Sequence, residues 1–344
     1  MRRTPLLQLP PELTGPGSRS PQRFLLGVDG GATKTLAAVL DLDSHSVHVG
    51  HAGPSNEDAI GPAAAVKALL AAADEAMEQA RIGDADLAAA VIAVAGTDTP
   101  SVAQHLSQTR SEQWTVVNDV VGAWATATGA EAGLAVIAGT GSNVFGVGPK
   151  GAWRAGGWGH LLGDEGGAYW LGIQSIEAAL RDREASGPAT ALSDAAVEFF
   201  EAESVESLAS CVYSKPLSKT EIAAFAVRCA KIADAGDAVA LEIYERGAAD
   251  LGQQVAAVVE QTGLASERFP VGLIGSVFRS GVFTGPLTRA IASTAPSAVI
   301  SVVDTPPAAG SLLLAARVAG RSDQIDRDTL ARVLEPAVEP APAS

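Results

Sequence analysis

Cysteine is nearly missing from this chain. Cys211 and Cys229 are the only two in 344 residues, too few for a disulfide framework or a cysteine-rich metal site, and that scarcity fits a reducing cytoplasm. Positive charge is scarce too. Only 24 lysines and arginines stand against 39 aspartates and glutamates, a formal net charge of -15. Nucleic acid or an anionic membrane would need a basic face, so the balance argues against both as partners. A nucleotide is not excluded, because Mg²⁺ and backbone N–H groups handle phosphate without a basic surface. No apolar run reaches the length of a membrane-spanning helix, and the N-terminal residues, despite Arg2 and Arg3, carry no apolar stretch of the secretory-signal kind.

Apolar bulk and glycine are what the chain has in quantity. With 47% hydrophobic residues and a mean hydropathy of +0.20, it can bury a large core and is expected to divide into two domains. Pro10, Pro11, Pro16 and Pro21 mark residues 1–22 as a disordered lead, and EPAVEPAPAS marks 335–344 as a disordered tail.

Between these ends, structure repeats where sequence does not. The first copy reads as strands Phe24–Val28, Leu36–Asp41 and Val47–His51, with the turn DGGATKT between the first two. A helix follows whose apolar positions Val66, Leu69, Leu70, Ala73 and Met77 fall at helical spacing. Strand Ala89–Ala95, a helix over Val102–Gln108, strand Trp114–Val117 and a helix from Val120 complete it. The second copy opens with strand Leu134–Ile137, turn AGTGS, strand Asn143–Val147 and a short strand around Trp153. A helix from Gly167 and a long helical stretch over 182–262 follow; the pattern resumes with strand Val271–Ile274, helix Phe283–Ile291, strand Ala298–Val303 and helix Ser311–Val318. Each copy reads βββαβαβα. Two such halves facing each other would form a cleft with one phosphate turn from each side.

The densest glycines lie between Ala138 and Trp170, where AGTGSN, GGWGH and GDEGGAYW follow one another. Turns of this kind allow close backbone approach and point N–H groups at an anion or a sugar hydroxyl. With GVDGGATKT, NDVVGAWATAT and GSVFRS in order around them, the chain from about Phe24 to Gly320 resembles the N-acetylglucosamine kinase branch of the BadF/BadG/BcrA/BcrD ATPase family. That family lies in the actin-like ATPase and sugar kinase superfamily. The resemblance implies an α/β fold of two ribonuclease H-like (actin-like ATPase) domains around a nucleotide cleft. These would be a smaller one over 23–129 and a larger one over 130–334, with a helical insertion at about 182–262. It also implies ATP as phosphoryl donor with Mg²⁺, an amino sugar as acceptor at its 6-hydroxyl, and a homodimer.

Candidate residues follow from chemistry and resemblance together. Asp29 ends a buried strand before Gly30 and Gly31, so its carboxylate should emerge where it can hold Mg²⁺ through water. The turn behind it offers N–H groups, with Thr33 and Thr35 hydroxyls as neutral donors; Lys34 reads equally as a phosphate contact or a solvated lysine. Thr140 and Gly141 match the family's second phosphate turn, and Gly275 with Ser276 its adenosine motif, although Gly275 alone would pass for an ordinary strand-to-helix turn. Asp119 opens a helix at the carboxyl end of a strand, where it is either the catalytic base, as the family's NDV position implies, or a helix N-cap shared with Asn118. Asn56, Asn143, Gly157, Trp158 and Asp164 match sugar-contacting positions; an indole, an amide and a carboxylate suit a hydroxylated ring, while Asn56 also fits an Asx turn. His160 and Glu165 receive no assigned role.

Other features read as packing. His45, His48 and His51 are spaced so that neighbours on a strand point to opposite faces, Trp114 and Trp124 are core or surface aromatics, and the alanine-rich helices over 63–80 and 225–258 are ordinary packing faces. Two further functions are carried: an ATPase activator holding an iron–sulfur cluster, disfavoured by the setting of Cys211 and Cys229, and a sugar-binding regulator without catalysis, disfavoured by intact Asp29, Asp119 and phosphate turns. Glucosamine and N-acetylmuramic acid stay open as acceptors.

Overall fold

A computed structural model describes residues 7–15, 17–96, 99–110, 114–214 and 217–338. Of the flanks expected to be disordered, residues 1–6, 16 and 339–344 lie outside these. The chain forms two compact units, one from the chain up to Ala135 together with the chain from Val303 onward, the other Val136–Val302.

The first unit holds β1 (Phe24–Gly30), β2 (Thr35–Asp41), β3 (Val47–Ala52), α1 (Glu57–Ile60), α2 (Pro62–Ala80), β4 (Leu87–Val94), α3 (Thr99–Ser107), β5 (Trp114–Asn118) and α4 (Asp119–Thr128). Its sheet runs β3-β2-β1-β4-β5, with β1 antiparallel to β2 and parallel to β4. Alternation along β1 assigns its two faces. Leu26 and Val28 join Val66, Leu69, Ala73 and Met77 of α2 in a buried cluster with Val39 and Ile92. Leu69 is fully buried there, and its truncation to alanine would cost about 2–5 kcal/mol.

The chain after Val302 packs in this first unit, whereas the sequence reading places it with the second. The physical reason is visible in α11 (Ala308–Val318), whose residues from Ala308 to Ala316 are all buried. A helix that is apolar all round needs partners on every side. A Cβ at Gly27 would lie 2.7 Å from the Leu312 backbone nitrogen, and the Ser311 hydroxyl donates to the Val28 carbonyl at 2.8 Å. The lead also departs from expectation. Leu13 is buried, Gly17 and Ser20 donate backbone hydrogen bonds to Arg317 and Ala319, and the Arg321 guanidinium bonds the Ser20 carbonyl. One apolar anchor and a set of carbonyls at a helix end suffice to seat a proline-rich strand of chain. Likewise α12 (Arg327–Val338) runs past Glu335, where the tail was expected to start.

The second unit repeats the topology. β6 (Gly133–Ala138), β7 (Ser142–Gly148), β8 (Gly151–Gly156), β9 (Pro270–Ile274) and β10 (Val299–Val302) take the order β10-β9-β6-β7-β8. Substituting β6 for β1, and so on in chain order, reproduces the first sheet, which is the structural repeat the sequence predicts. Between β8 and β9 come α5 (Ala168–Arg183), α6 (Leu192–Phe199), α7 (Val205–Ser214), α8 (Lys219–Asp234) and α9 (Ala238–Thr262), and α10 (Gly281–Thr294) follows β9. The helical insertion is therefore present. Asp237 caps α9 by accepting from the Val239 and Ala240 N–H groups, and buried Trp124 and Trp114 are core aromatics. No helix among the described residues is long and apolar enough to cross a membrane.

Candidate functional site

In the first unit, β1, β4 and β5 are parallel neighbours, and Gly30 pairs with Val94, which pairs with Asn118. Asp29 and Asp119 thus stand at the same carboxyl end of one sheet, two strands apart. This is the edge where open α/β sheets place ligands. Asn118 resolves the capping question at β5. Its side chain accepts from the Val120 N–H at 3.3 Å and donates to the Gly96 carbonyl at 2.9 Å, so Asn118 is the N-cap and Asp119 is the first residue of α4.

Asp29 is the most perturbed carboxyl at this edge. Burial first, and the Asp119 charge second, push its pKa from 3.8 up to about 7, while Lys34 works in the opposite direction. Behind it the turn is short: Gly31 N–H donates to the Lys34 carbonyl, and the Gly31 carbonyl accepts from Ser55. Gly30 lies where a Cβ would press to 2.5 Å from the Ser55 hydroxyl. Thr33 is exposed on the turn. Thr35 is not available as a donor, because its hydroxyl is fully buried between the Gly53 carbonyl at 2.8 Å and the Ser55 hydroxyl at 2.9 Å. Asn56 does form the Asx turn: its Oδ1 accepts from Asp58 N–H at 2.9 Å as the cap of α1.

The second unit gathers Thr140, Gly141, Asn143, Gly157, Trp158 and Asp164 around the β6–β7 turn. The Gly139 N–H donates to the Gly141 carbonyl, and the carbonyls of Gly139 and Thr140 accept from Ala168 and Tyr169 at the start of α5. A Cβ at Gly141 would lie 2.5 Å from the Asp164 carboxylate, so glycine lets that carboxylate sit against the turn. Asp164 occupies the left-handed region at φ +64°, a conformation aspartate tolerates better than most residues. Desolvation raises its pKa; hydrogen bonds from the Ser142 and Gly159 N–H groups and the charge of His160 pull it down, and Glu165 pushes it up. His160 packs edge-on against Tyr169 at 5.1 Å. Trp158 is 55% exposed, with the Arg154 guanidinium 5.6 Å from its ring centroid.

At the end of β9, Gly275 adopts φ +125°, and a Cβ there would lie 2.3 Å from the Ala138 carbonyl oxygen. The close approach of these two strand ends requires glycine. Ser276 follows, exposed, in a single 3-10 turn.

A model of the BadF/BadG/BcrA/BcrD ATPase family matches residues 26–315. The chain belongs to that family. Two characterised relatives within reach of this BadF/BadG/BcrA/BcrD member are an N-acetylmuramic acid/N-acetylglucosamine kinase of Clostridium acetobutylicum and an N-acetyl-D-glucosamine kinase of Dictyostelium discoideum. The first is 29% identical over 264 residues, covering 75% of this chain and 86% of the relative. The second is 26% identical over 313 residues, covering 86% and 98%. Among crystal structures, a Chromobacterium violaceum protein provisionally named an N-acetylglucosamine kinase superposes with a TM-score of 0.69 at 22% identity, covering 86% of this chain and 99% of that one. A ROK hexokinase of Thermus thermophilus superposes at 0.50 with 18% identity, covering 86% and 97%. Both share the fold.

Sequence reasoning missed part of the second unit. The face of α9 read as ordinary packing carries Arg246, Asp250 and Gln254 at four-residue spacing, one helical stripe. Gln254 Nε2 donates to Glu165 Oε2 at 3.3 Å. Burial and the neighbouring Glu165 raise the Asp250 pKa against the pull of Arg246. Three polar residues repeating every fourth position were the signal. Glu165, left without a role, is held by Gln254, and its backbone carbonyl accepts from the Ser142 hydroxyl at 2.7 Å. Buried Cys229, with its thiol pushed up to about 12 by burial, has the character of an inert core residue.

Proposed function

We propose that this protein transfers the γ-phosphoryl group of ATP to the 6-hydroxyl of an amino sugar, N-acetylglucosamine by preference. The observation that carries the reading is the pair Asp29 and Asp119 at one sheet end, with Asn118 relieving Asp119 of the capping role. The names of the two amino-sugar kinase relatives, and membership of an ATPase family, support the same reaction class.

In this reading Asp119 accepts the proton of the sugar 6-hydroxyl as its oxygen attacks the γ-phosphorus. With the Gly31 N–H bonded to the Lys34 carbonyl, the turn beyond it at Thr33 and the turn at Thr140–Gly141 receive phosphate oxygens, Gly30 and Gly31 allow the close approach, and Gly275 with Ser276 accommodates the adenosine. Asn56, Asn143, Gly157, Trp158 and Asp164 hold the acceptor. Asp29 suits a Mg²⁺ ion held through water, because its carboxyl resists ionisation in its buried setting and a nearby cation removes that resistance. When bound with the nucleotide, Mg²⁺ neutralises charge on the phosphoryl oxygens. A cytoplasmic homodimer belongs to the same proposal.

ADP release with Mg²⁺-ATP, measured against N-acetylglucosamine, N-acetylmuramic acid, glucosamine, N-acetylmannosamine and glucose, tests it. The expected result is highest kcat/KM for N-acetylglucosamine. N-acetylmuramic acid is the informative second acceptor, since the Clostridium acetobutylicum relative is named for both. No turnover with any sugar would overturn the proposal.

A further inference from the structure

Gln254 reaches from α9 to the end of β8. Its Nε2 donates to the Glu165 carboxylate at 3.3 Å, and a carboxylate oxygen can only accept, so this bond fixes which way round the amide sits. Oε1 is thereby turned away from Glu165. It is buried and has no hydrogen-bond partner among the described residues. It lies against Gly156, where a Cβ would come within 2.2 Å of it.

A second amide shares this place. Asn143 is the ladder partner of Gly156 in the β7–β8 pair, and its Nδ2 occupies the space that a Cβ at Gly157 would take, 2.3 Å away. The Asn143 Oδ1 is also buried and without a partner among the described residues. Two adjacent glycines therefore make room for two amides, each with a buried oxygen that has no partner among the described residues. An unpaired buried carbonyl destabilises the fold, and such groups persist where a ligand supplies the missing donors.

We infer that Gln254 is a further specificity-determining residue of the acceptor site, its Oε1 and the Asn143 Oδ1 together accepting hydroxyl or amide N–H groups of the sugar. The inference rests on the amino-sugar kinase reading. It assigns the helical insertion a part in the site, because α9 carries Gln254. The two amide oxygens accept, while the Arg154 guanidinium beside them donates to the Gly157 carbonyl at 3.4 Å. The pair accordingly selects an acceptor that presents hydroxyl or amide N–H donors to these two oxygens.

The test is steady-state kinetics of wild type and Gln254→Met, which keeps side-chain length and removes both hydrogen-bonding atoms. One net hydrogen bond lost predicts a rise in KM for N-acetylglucosamine of roughly 5- to 10-fold, with KM for Mg²⁺-ATP unchanged within about 2-fold. A site that bonds a particular group rejects analogues lacking it. The variant should therefore also discriminate less between N-acetylglucosamine and glucose than wild type does. Gln254→Leu, which also lacks both hydrogen-bonding atoms, gives the same readout should the methionine variant fail to fold. An unchanged sugar KM, or an equal loss with every sugar and with ATP, overturns the inference while leaving the kinase reading intact. A wild type that phosphorylates no sugar overturns both.

Discussion

Replacing Asp29 by asparagine should stabilise the ligand-free protein at high pH and not at low pH. The Asp29 carboxyl has a pKa of about 7 in the folded chain against 3.8 for an ordinary aspartate. The folded state thus holds this proton more tightly than the unfolded state does. Stability is lost as pH rises from about 4 to 7, and the loss is complete above 7. The difference between 3.8 and about 7, at 1.36 kcal/mol per pH unit, gives roughly 4 kcal/mol as a ceiling, and relaxation around the buried carboxyl reduces this to about 2–4 kcal/mol. Asparagine resembles the protonated acid, so the gain from Asp29→Asn should be about 2–4 kcal/mol at pH 8 and near zero at pH 4. For a unit of this size that is on the order of 5–15 °C in Tm. Calorimetric scans of both proteins at pH 4 and pH 8, without nucleotide or Mg²⁺, measure it. Their difference is the quantity to read, since other groups titrate in both. Adding Asp119→Asn should shrink the pH 8 gap, because the Asp119 charge is the second cause of the shift. A gap that does not open between pH 4 and pH 8 would refute the buried-carboxylate argument.

Asp119→Asn should fold normally, since the cap belongs to Asn118, and should lower kcat about 10²- to 10⁴-fold in the ADP-release assay; near-normal turnover would remove Asp119 as the base. Gly275→Ala should raise KM for ATP while leaving the sugar KM unchanged, and lower Tm, because a methyl group at φ +125° meets the Ala138 carbonyl at 2.3 Å. Cys229 should resist N-ethylmaleimide in the native protein at pH 8, as its thiol is pushed up to about 12 by burial, and should label fully on unfolding; rapid native labelling by peptide mass spectrometry would contradict the placement.

Local chemistry made much of this chain legible. Asp29 could be placed at a strand end because FLLGV is apolar and GG breaks it, and those facts lie within a few residues of each other. The same holds for Asn118-Asp119, where an apolar strand ends at a residue that readily caps a helix. What could not be read is where one element's side chain meets an element far along the chain. Helix α11 is apolar on every side, which announces burial without announcing against what. Leu13 likewise looks like an isolated apolar residue among prolines, and it is the packing of its turn against α11 that buries it. Thr35, grouped with Thr33 as a phosphate donor, has its hydroxyl committed to Gly53 and Ser55, eighteen and twenty residues on.

The same distinction explains Gln254. Glycine pairs are visible in sequence, and GGWGH was recognised as a site, but a glycine shows only that something comes close. Gly156 and Gly157 leave room for Gln254 and Asn143, one from a helix nearly a hundred residues later and one from the neighbouring strand. The polar stripe Arg246, Asp250, Gln254 supplies the complementary clue, because it runs from exposed Arg246 to the half-buried Asp250 and Gln254 along the edge of the buried face. A missing side chain on one element and a misplaced polar one on another are two halves of a single contact. Read together, they give a long helix that looks like scaffold a place beside the proposed acceptor site.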